Sequence, residues 1–510
     1  MHCIASGLLT VYMDACRVCV IQIGLDPAGR GKSHPDFQGS NTNRWQGERV
    51  MALKKLKPED QTAGFDLDDL RKKAESPSSV VSTVYHCTLV TPMFGGGVKA
   101  REVDENQPIR AAAIRGQLRF WWRLLNRLDG QGEVKESQAL FEEEREIWGG
   151  LGDVKTLARS RVWLRVRNVK GVKTTPAAKI VINDRDKKAI DWGELNDVSY
   201  VLFSATSADN SKPEGFIAKL LMPGARFDLE IGWHGPEDPK KWGAVREAVA
   251  CWASFGGVGA RTRRGCGAIK VTDATGVLLS LPKDRLEECG CQIRVTNEFG
   301  SAREAWRYAV GRLKKFRQGK GFARNGRDPK TPGQSLWPEA DSIRRITKMH
   351  YKEKGGKKTH QPRNNPERAF PRAMFGMPII THFKDARKKG AIDGTDCDPD
   401  DTELLPVQAD SRDPYNRMAS PLILRPVPKS EKEWMAVALL LPIDHLKDIK
   451  LLLRDTESGR SWLMGRKYLW SDEFADDVLP LNGLPANPLD AFMEFFSRRD
   501  SVGGSRRRRE

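Results

Sequence analysis

From about residue 80 onward the apolar positions fall into regular runs. Residues 81–90 are β-branched and apolar, which predicts a strand that stops at Thr91 and Pro92. Three glycines, 95–97, follow, and a charged loop runs to Pro108. Ile114, Leu118, Trp121, Leu125 and Leu128 then recur at spacings of four and three, one apolar face of a helix. Residues 161–169 alternate apolar and basic side chains, as a half-exposed strand does. Further strands are predicted over 198–204 and 226–231. A helix over 239–255 carries an apolar stripe through Trp242, Val245, Val249 and Trp252, and a glycine-rich turn, 256–267, leads into a strand over 268–272. The order is strand, helix, two or three strands, helix, strand, close to a split β-α-β arrangement.

A second unit begins near Gln292. Its pattern predicts a basic helix over 301–316, strands over 422–427 and 434–441, and a closing helix over 489–498. Residues 319–333 and 352–366 are rich in Gly, Pro, Asn and Lys and read as loops. Residues 385–413, with nine Asp and Glu against four Lys and Arg, read as a solvated acidic loop. The fold class is therefore α+β. The divisions are an N-terminal extension over 1–79, loop-like or disordered in part; a first unit over 80–285; a second over 286–500 with a basic insertion; and a basic tail over 501–510. The apolar stretch 4–11 has no basic residue before it, so a cleaved secretory signal is not expected, and Met51 is a candidate translation start.

Charge narrows the function. The 510 residues carry 85 Lys and Arg against 67 Asp and Glu, a net charge of +18, which argues for a polyanionic partner. Residues 303–372 hold 20 basic and 6 acidic residues, so the excess is concentrated in the second unit. No apolar run is long enough to span a bilayer, which favours nucleic acid over membrane. Nine irregularly spaced cysteines read as reduced thiols of a cytoplasmic protein rather than a disulfide framework.

Two stretches combine glycine and arginine. In the first, Gly95, Gly96, Gly97 and Lys99 precede a helix in which Arg115, Arg119, Arg123 and Arg127 recur every four residues, with Arg110 at its start. Glycines let a backbone approach a phosphodiester closely, and arginines at that spacing can follow successive phosphates. Trp121 lies on the apolar stripe and reads as core, whereas Trp122 lies between that stripe and the arginines and is a candidate for stacking on a base. In the second, residues 256–267 hold five glycines with Arg261, Arg263 and Arg264, more than a helix cap requires. Both stretches have a bland alternative, a solvated basic helix face and a plain turn with surface arginines.

The helix segment 109–123, IRAAAIRGQLRFWWR, and the turn GGVGARTRRGCG over 256–267 together resemble the RAMP proteins of CRISPR effector complexes, most closely the first subunit of the type III-B Cmr complex. Residues 368–378 and 417–425 are similar to the C-terminal half of that subunit. Arg115 stands where the family pattern has Lys, which keeps the charge and changes the hydrogen-bond geometry. The resemblance implies two ferredoxin-like (RRM-like) domains with Gly-rich loops and insertions. It implies a non-catalytic, RNA-binding subunit of an antiviral ribonucleoprotein, placed toward the 3′ end of the guide and helping to capture target RNA. CRISPR guide RNA, complementary target RNA and other Cmr-complex subunits would be its partners, with no membrane, metal or cofactor. Arg372 and Arg417 are the second domain's candidates for RNA contact.

The sharper alternative is an endoribonuclease of the same fold, with His86 as general acid or base, or Asp104 and Glu105 assisting through a bound metal. Residues 29–33, GRGKS, resemble the end of a phosphate-binding loop, but Asp26 stands where that pattern needs glycine. Cys16 and Cys19 would need Cys289 and Cys291 to complete a zinc site, and no second CxxC pair supports it.

Overall fold

The computed structural model describes residues 81–151, 157–182, 188–207, 216–325, 335–350, 360–362, 366–383, 397–408 and 413–498. The extension over 1–79, the tail over 501–510, Cys16, Cys19 and residues 29–33 lie outside them.

The first unit runs β1 (Ser82–Leu89), α1 (Ala111–Leu125), α2 (Ser137–Trp148), β2 (Val162–Lys170), β3 (Arg226–Trp233), α3 (Pro239–Phe255) and β4 (Ile269–Thr272). The four strands form one antiparallel sheet in the order β4-β1-β3-β2. Its register sets Cys87 opposite Phe227 and Tyr85 opposite Leu229, all four buried, while the next pair along, His86 and Asp228, points the other way. The period of two thus gives the sheet one face covered by helices and one open face. α1 buries Ile114, Leu118, Trp121, Leu124 and Leu125, and α3 buries Val245, Val249 and Trp252. Asp238 caps α3 by accepting from the Lys241 amide, and Pro239 follows at its first position.

The second unit runs β5 (Gln292–Phe299), α4 (Ala302–Gln318), α5 (Glu339–Thr347), β6 (Ile379–Thr381), β7 (Thr402–Val407), β8 (Leu422–Pro428), β9 (Trp434–Leu440), β10 (Lys450–Asp455), β11 (Ser461–Met464) and α6 (Pro488–Ser497). β5, β9 and β8 form a three-stranded antiparallel sheet in that order, and β6-β7-β10-β11 a separate four-stranded one. In the three-stranded sheet both faces of β8 and β9 are buried. Ile423, Val427, Val437 and Leu439 share a core with α1 and α3. Leu422, Leu424, Ala436, Ala438 and Leu440 share the other core, with α4 and α6. The helices α1 and α3 are thus sandwiched between two sheets, and a second helix layer backs the far one.

Two expectations fail here. Residues 198–204 are helical, a 3-10 turn ending at Val198 followed by an α-turn over Ser199–Leu202. Val198, Val201, Leu202 and Ala205 are the buried positions, and their spacing of three, one and three is helical despite the β-branched composition. The acidic stretch 385–413 contains β7, whose Leu404, Leu405 and Val407 are core residues, so it is not a loop throughout. Within it Asp398, 2% exposed, is held by the Arg344 guanidinium through bonds of 2.9 and 3.0 Å and by His360 at 2.7 Å.

Candidate nucleic-acid interface

The arginine ladder of α1 is turned into the protein. Arg115 donates to the carbonyl of Val162 at 2.9 Å, to that of Trp148 and to the Ser160 hydroxyl at 2.7 Å. Arg119 and Arg123 meet one carboxylate, Glu144, at 2.5 and 2.7 Å. Glu144 comes from α2, is 2% exposed and therefore balances both guanidiniums at the seam between the two helices. Arg127, itself buried, donates to the Cys289 carbonyl and pairs with Asp444 at 2.8 Å. Trp122 is 2% exposed and offers no face to a base. Arg115, Arg119, Arg123 and Trp122, expected to line an RNA groove, are thus engaged within the protein, on a face that α2 covers.

The glycine turn after α3 divides in two. Thr262–Arg264 wedges against β8: Arg263 donates to the Ser420 carbonyl and lies over the Phe120 ring, and Arg264 donates to the carbonyls of Leu422 at 2.7 Å and Phe375 at 3.2 Å. Burial, reinforced by Arg317, Arg263 and Arg261, pushes the Arg264 guanidinium down to about 9. Arg425, wholly buried on β8, reaches back to the Ile269 carbonyl at 3.0 Å. Arg263, Arg264 and Arg425 thus pin the two units together through carbonyl groups. Arg372 is likewise engaged, by the buried carboxylate of Glu339 at 3.0 Å.

The rest of the turn meets the first glycine run. The Ala260 amide donates to the Phe94 carbonyl at 2.7 Å. Gly259 takes φ +78°, and a Cβ there would come within 2.7 Å of Met93 Cγ and of the Phe94 carbonyl, so only glycine permits the approach. Gly95 and Gly96 are half-buried and Gly97 is exposed. Arg110, at the start of α1, reaches the Gly97 carbonyl at 3.4 Å.

Cations gather at this meeting point. Arg261, also left-handed at φ +59°, donates through Nε to the Ser204 hydroxyl at 2.8 Å and lies over the Phe203 ring at 4.4 Å. Arg101, at φ +70°, is exposed and sits over Phe216 at 5.6 Å. Burial lowers the proton affinity of Arg261, and Arg417 and Arg101 lower it further; the side chain acting in the opposite sense is a thiol, Cys266, not a carboxylate. Arg417 and Lys99 are exposed and have no ion-pair partner among the described residues. Of the residues singled out in the sequence, Gly95, Gly96, Gly97, Lys99, Arg110, Arg261 and Arg417 therefore come together here. Arg101, Phe203 and Phe216 join them without having been singled out. Uncompensated like charges held close cost stability, and a polyanion is the ligand that relieves them.

The candidates for catalysis lie elsewhere or are tied up. Asp104 accepts from the Asn106 and Gln107 amides at 3.0 and 3.1 Å, a local turn. Glu105 pairs with Lys219 at 2.8 Å. His86 contacts Asp228 at 2.7 Å on the open face of the first sheet, and Asn168 donates to the same carboxylate at 2.6 Å. Asp228 is held below the usual carboxylate range, chiefly by the Asn168 bond. Among the described residues no cluster of three or more His, Cys, Asp or Glu is arranged to hold a metal, and Cys289 and Cys291 are buried. No helix among them is long and apolar enough to cross a membrane.

Residues 86–270, from β1 to β4, match the family model of the RAMP superfamily. The CRISPR system Cmr subunit Cmr1-2 of Pyrococcus furiosus is 27% identical over 193 residues, covering 37% of this chain and 94% of that protein. The subunit Cmr1-1 of the same organism is 29% identical over 211 residues, 41% of this chain and about half of that protein, 49%. The crystal structure of Cmr1 from Pyrococcus furiosus in its apo form overlaps 71% of this chain and 88% of its own, at 18% identity and a TM-score of 0.34. Over residues 86–270 the chain thus matches the RAMP superfamily, and it is similar to the Cmr1 subunits of the CRISPR Cmr system.

Proposed function

We propose that this protein is a non-catalytic, RNA-binding subunit of a type III-B CRISPR effector complex. It sits in the cytoplasm toward the 3′ end of the guide and helps to capture complementary target RNA in antiviral defence. Two ferredoxin-like units carry it. The first has the β-α-β-β-α-β order with α2 added after α1, and the sheet order β4-β1-β3-β2. The second has a strand, a helix, two strands and a helix, with its three strands in the order β5-β9-β8.

The observation that carries the reading is the group of guanidiniums at the glycine junction, Arg101 over Phe216, Arg261 over Phe203 and Arg417, none with an ion-pair partner among the described residues. Both faces of β8 and β9 are buried, which favours the junction over that part of the second sheet as the RNA surface. Purification of the complex from its native host, followed by sequencing of the bound RNA, tests the assignment. RNA sharing a repeat-derived 5′ end is expected, and a preparation free of RNA would contradict it.

The endoribonuclease reading has one supporting observation, the exposed His86 oriented by Asp228. Incubation of the pure protein with guide and target RNA, with and without divalent metal, separates the two. Intact RNA is expected; cleavage lost in His86→Ala would show that the subunit cuts.

A further inference from the structure

Phe203 is 63% exposed, although it lies in a segment whose Val198, Val201, Leu202 and Ala205 are all buried. The helical spacing of those four leaves Phe203 on the outer side, where it gains nothing from the core. What it meets is Arg261, whose guanidinium lies 4.4 Å from the ring centre and whose Nε is anchored on the neighbouring Ser204 hydroxyl. The Nη groups of Arg261 have no acceptor among the described residues. Arg101 over Phe216, a ring on the same segment between β2 and β3 as Phe203, repeats the arrangement. A ring and a planar cation, both partly open to solvent and flanked by Lys99, Arg101 and Arg417, match the two halves of a nucleotide, a base that stacks and a phosphate that accepts.

We propose that Phe203 is the stacking platform for one unpaired base of the bound RNA, with the free Nη groups of Arg261 holding an adjacent phosphate. This rests on the RNA-binding reading above and adds to it a residue and a mode of contact. An exposed phenylalanine can also anchor another protein chain, but an apolar partner would have to bury these uncompensated guanidiniums, whereas a strand of RNA neutralises them.

The test uses the full-length chain and a single-stranded RNA of mixed sequence carrying the fluorescent base 2-aminopurine at successive positions. At one position the parent should quench the fluorophore. Phe203→Trp should bind and quench as the parent does. Phe203→Ala should lose the quenching and bind about 5- to 150-fold more weakly, with an unchanged dependence on salt, because stacking releases no counterion. Phe203 is outside the core, so Phe203→Ala should unfold at the same urea concentration as the parent. If the parent binds RNA and Phe203→Ala binds equally well, the platform is wrong while the RNA interface stands. If Phe203→Ala instead loses only its association with another subunit, the ring is a protein-docking residue and the proposal is overturned. Failure of the parent itself to bind RNA would remove both readings.

Discussion

Replacing Gly267 with alanine is expected to cost about 4 kcal/mol or more and to abolish RNA binding with it. Gly267 has φ +63°, and an added Cβ would fall far inside van der Waals contact with the Val258 carbonyl oxygen. Neither side can retreat cheaply. The Val258 amide donates to the Gly267 carbonyl and the Gly267 amide to the Pro92 carbonyl, each at 2.9 Å, so moving the turn breaks one bond within it and another that fastens it to the segment after β1. Gly276 is the control: it has φ +85°, but a Cβ added there would meet nothing within 4 Å, so Gly276→Ala should lose only about 1 kcal/mol, the penalty for the left-handed conformation. Urea unfolding of both variants checks this. Equal midpoints for the two would mean that the turn is not locked as described.

Glu144→Ala is expected to destabilise the protein by about 3 kcal/mol, because it strands Arg119 and Arg123 in a seam where no other carboxylate of the described residues is at hydrogen-bond distance. Glu144 is nearly inaccessible, and the two side chains that it holds are only 29% and 13% exposed, so water replaces little of what is lost. The readout that separates structure from function is RNA binding. If Arg119 and Arg123 were phosphate contacts, freeing them from Glu144 would strengthen binding and steepen its dependence on salt. In a buffer where the variant stays folded, an unchanged salt dependence is expected, since both arginines face α2 rather than a ligand.

That contrast shows where sequence reading reaches and where it stops. The spacing of Ile114, Leu118, Trp121 and Leu125 locates a helix because burial imposes its period on the chain. The same argument locates α3 from Pro239 to Phe255 and the strands β8 and β9. Periodicity also places Arg115, Arg119 and Arg123 on a shared face, but it does not say whether that face meets solvent. The answer lies in α2, whose apolar positions are broken up by the acidic run 142–144, one member of which is the buried partner itself. A long-range ion pair leaves no local pattern. The helix around Val198 was hidden for a different reason: four buried residues carry too short a signal against β-branched composition. The meeting of the two glycine runs was legible as a density of glycine beyond what capping needs. Arg417 was legible through its resemblance to a family segment. Arg101 was not, because its left-handed backbone and its place beside Arg261 are set by the loop's closure, with the Gly97 amide bonded to the Glu102 carbonyl at 2.9 Å.

The central claim is that the guanidiniums at the glycine junction hold the RNA backbone, and the salt dependence of binding tests it most directly. Affinity for single-stranded RNA should be measured from low to moderate salt for the parent, for the triple variant Arg101→Ala, Arg261→Ala and Arg417→Ala, and for a control lacking three exposed lysines, Lys179, Lys240 and Lys283. With about 0.7 counterions released per phosphate contact on a single strand, the triple variant should bind far more weakly and its logarithmic slope should flatten by about 2, while the control follows the parent closely. A triple variant that keeps the parent's affinity and slope would contradict the claim.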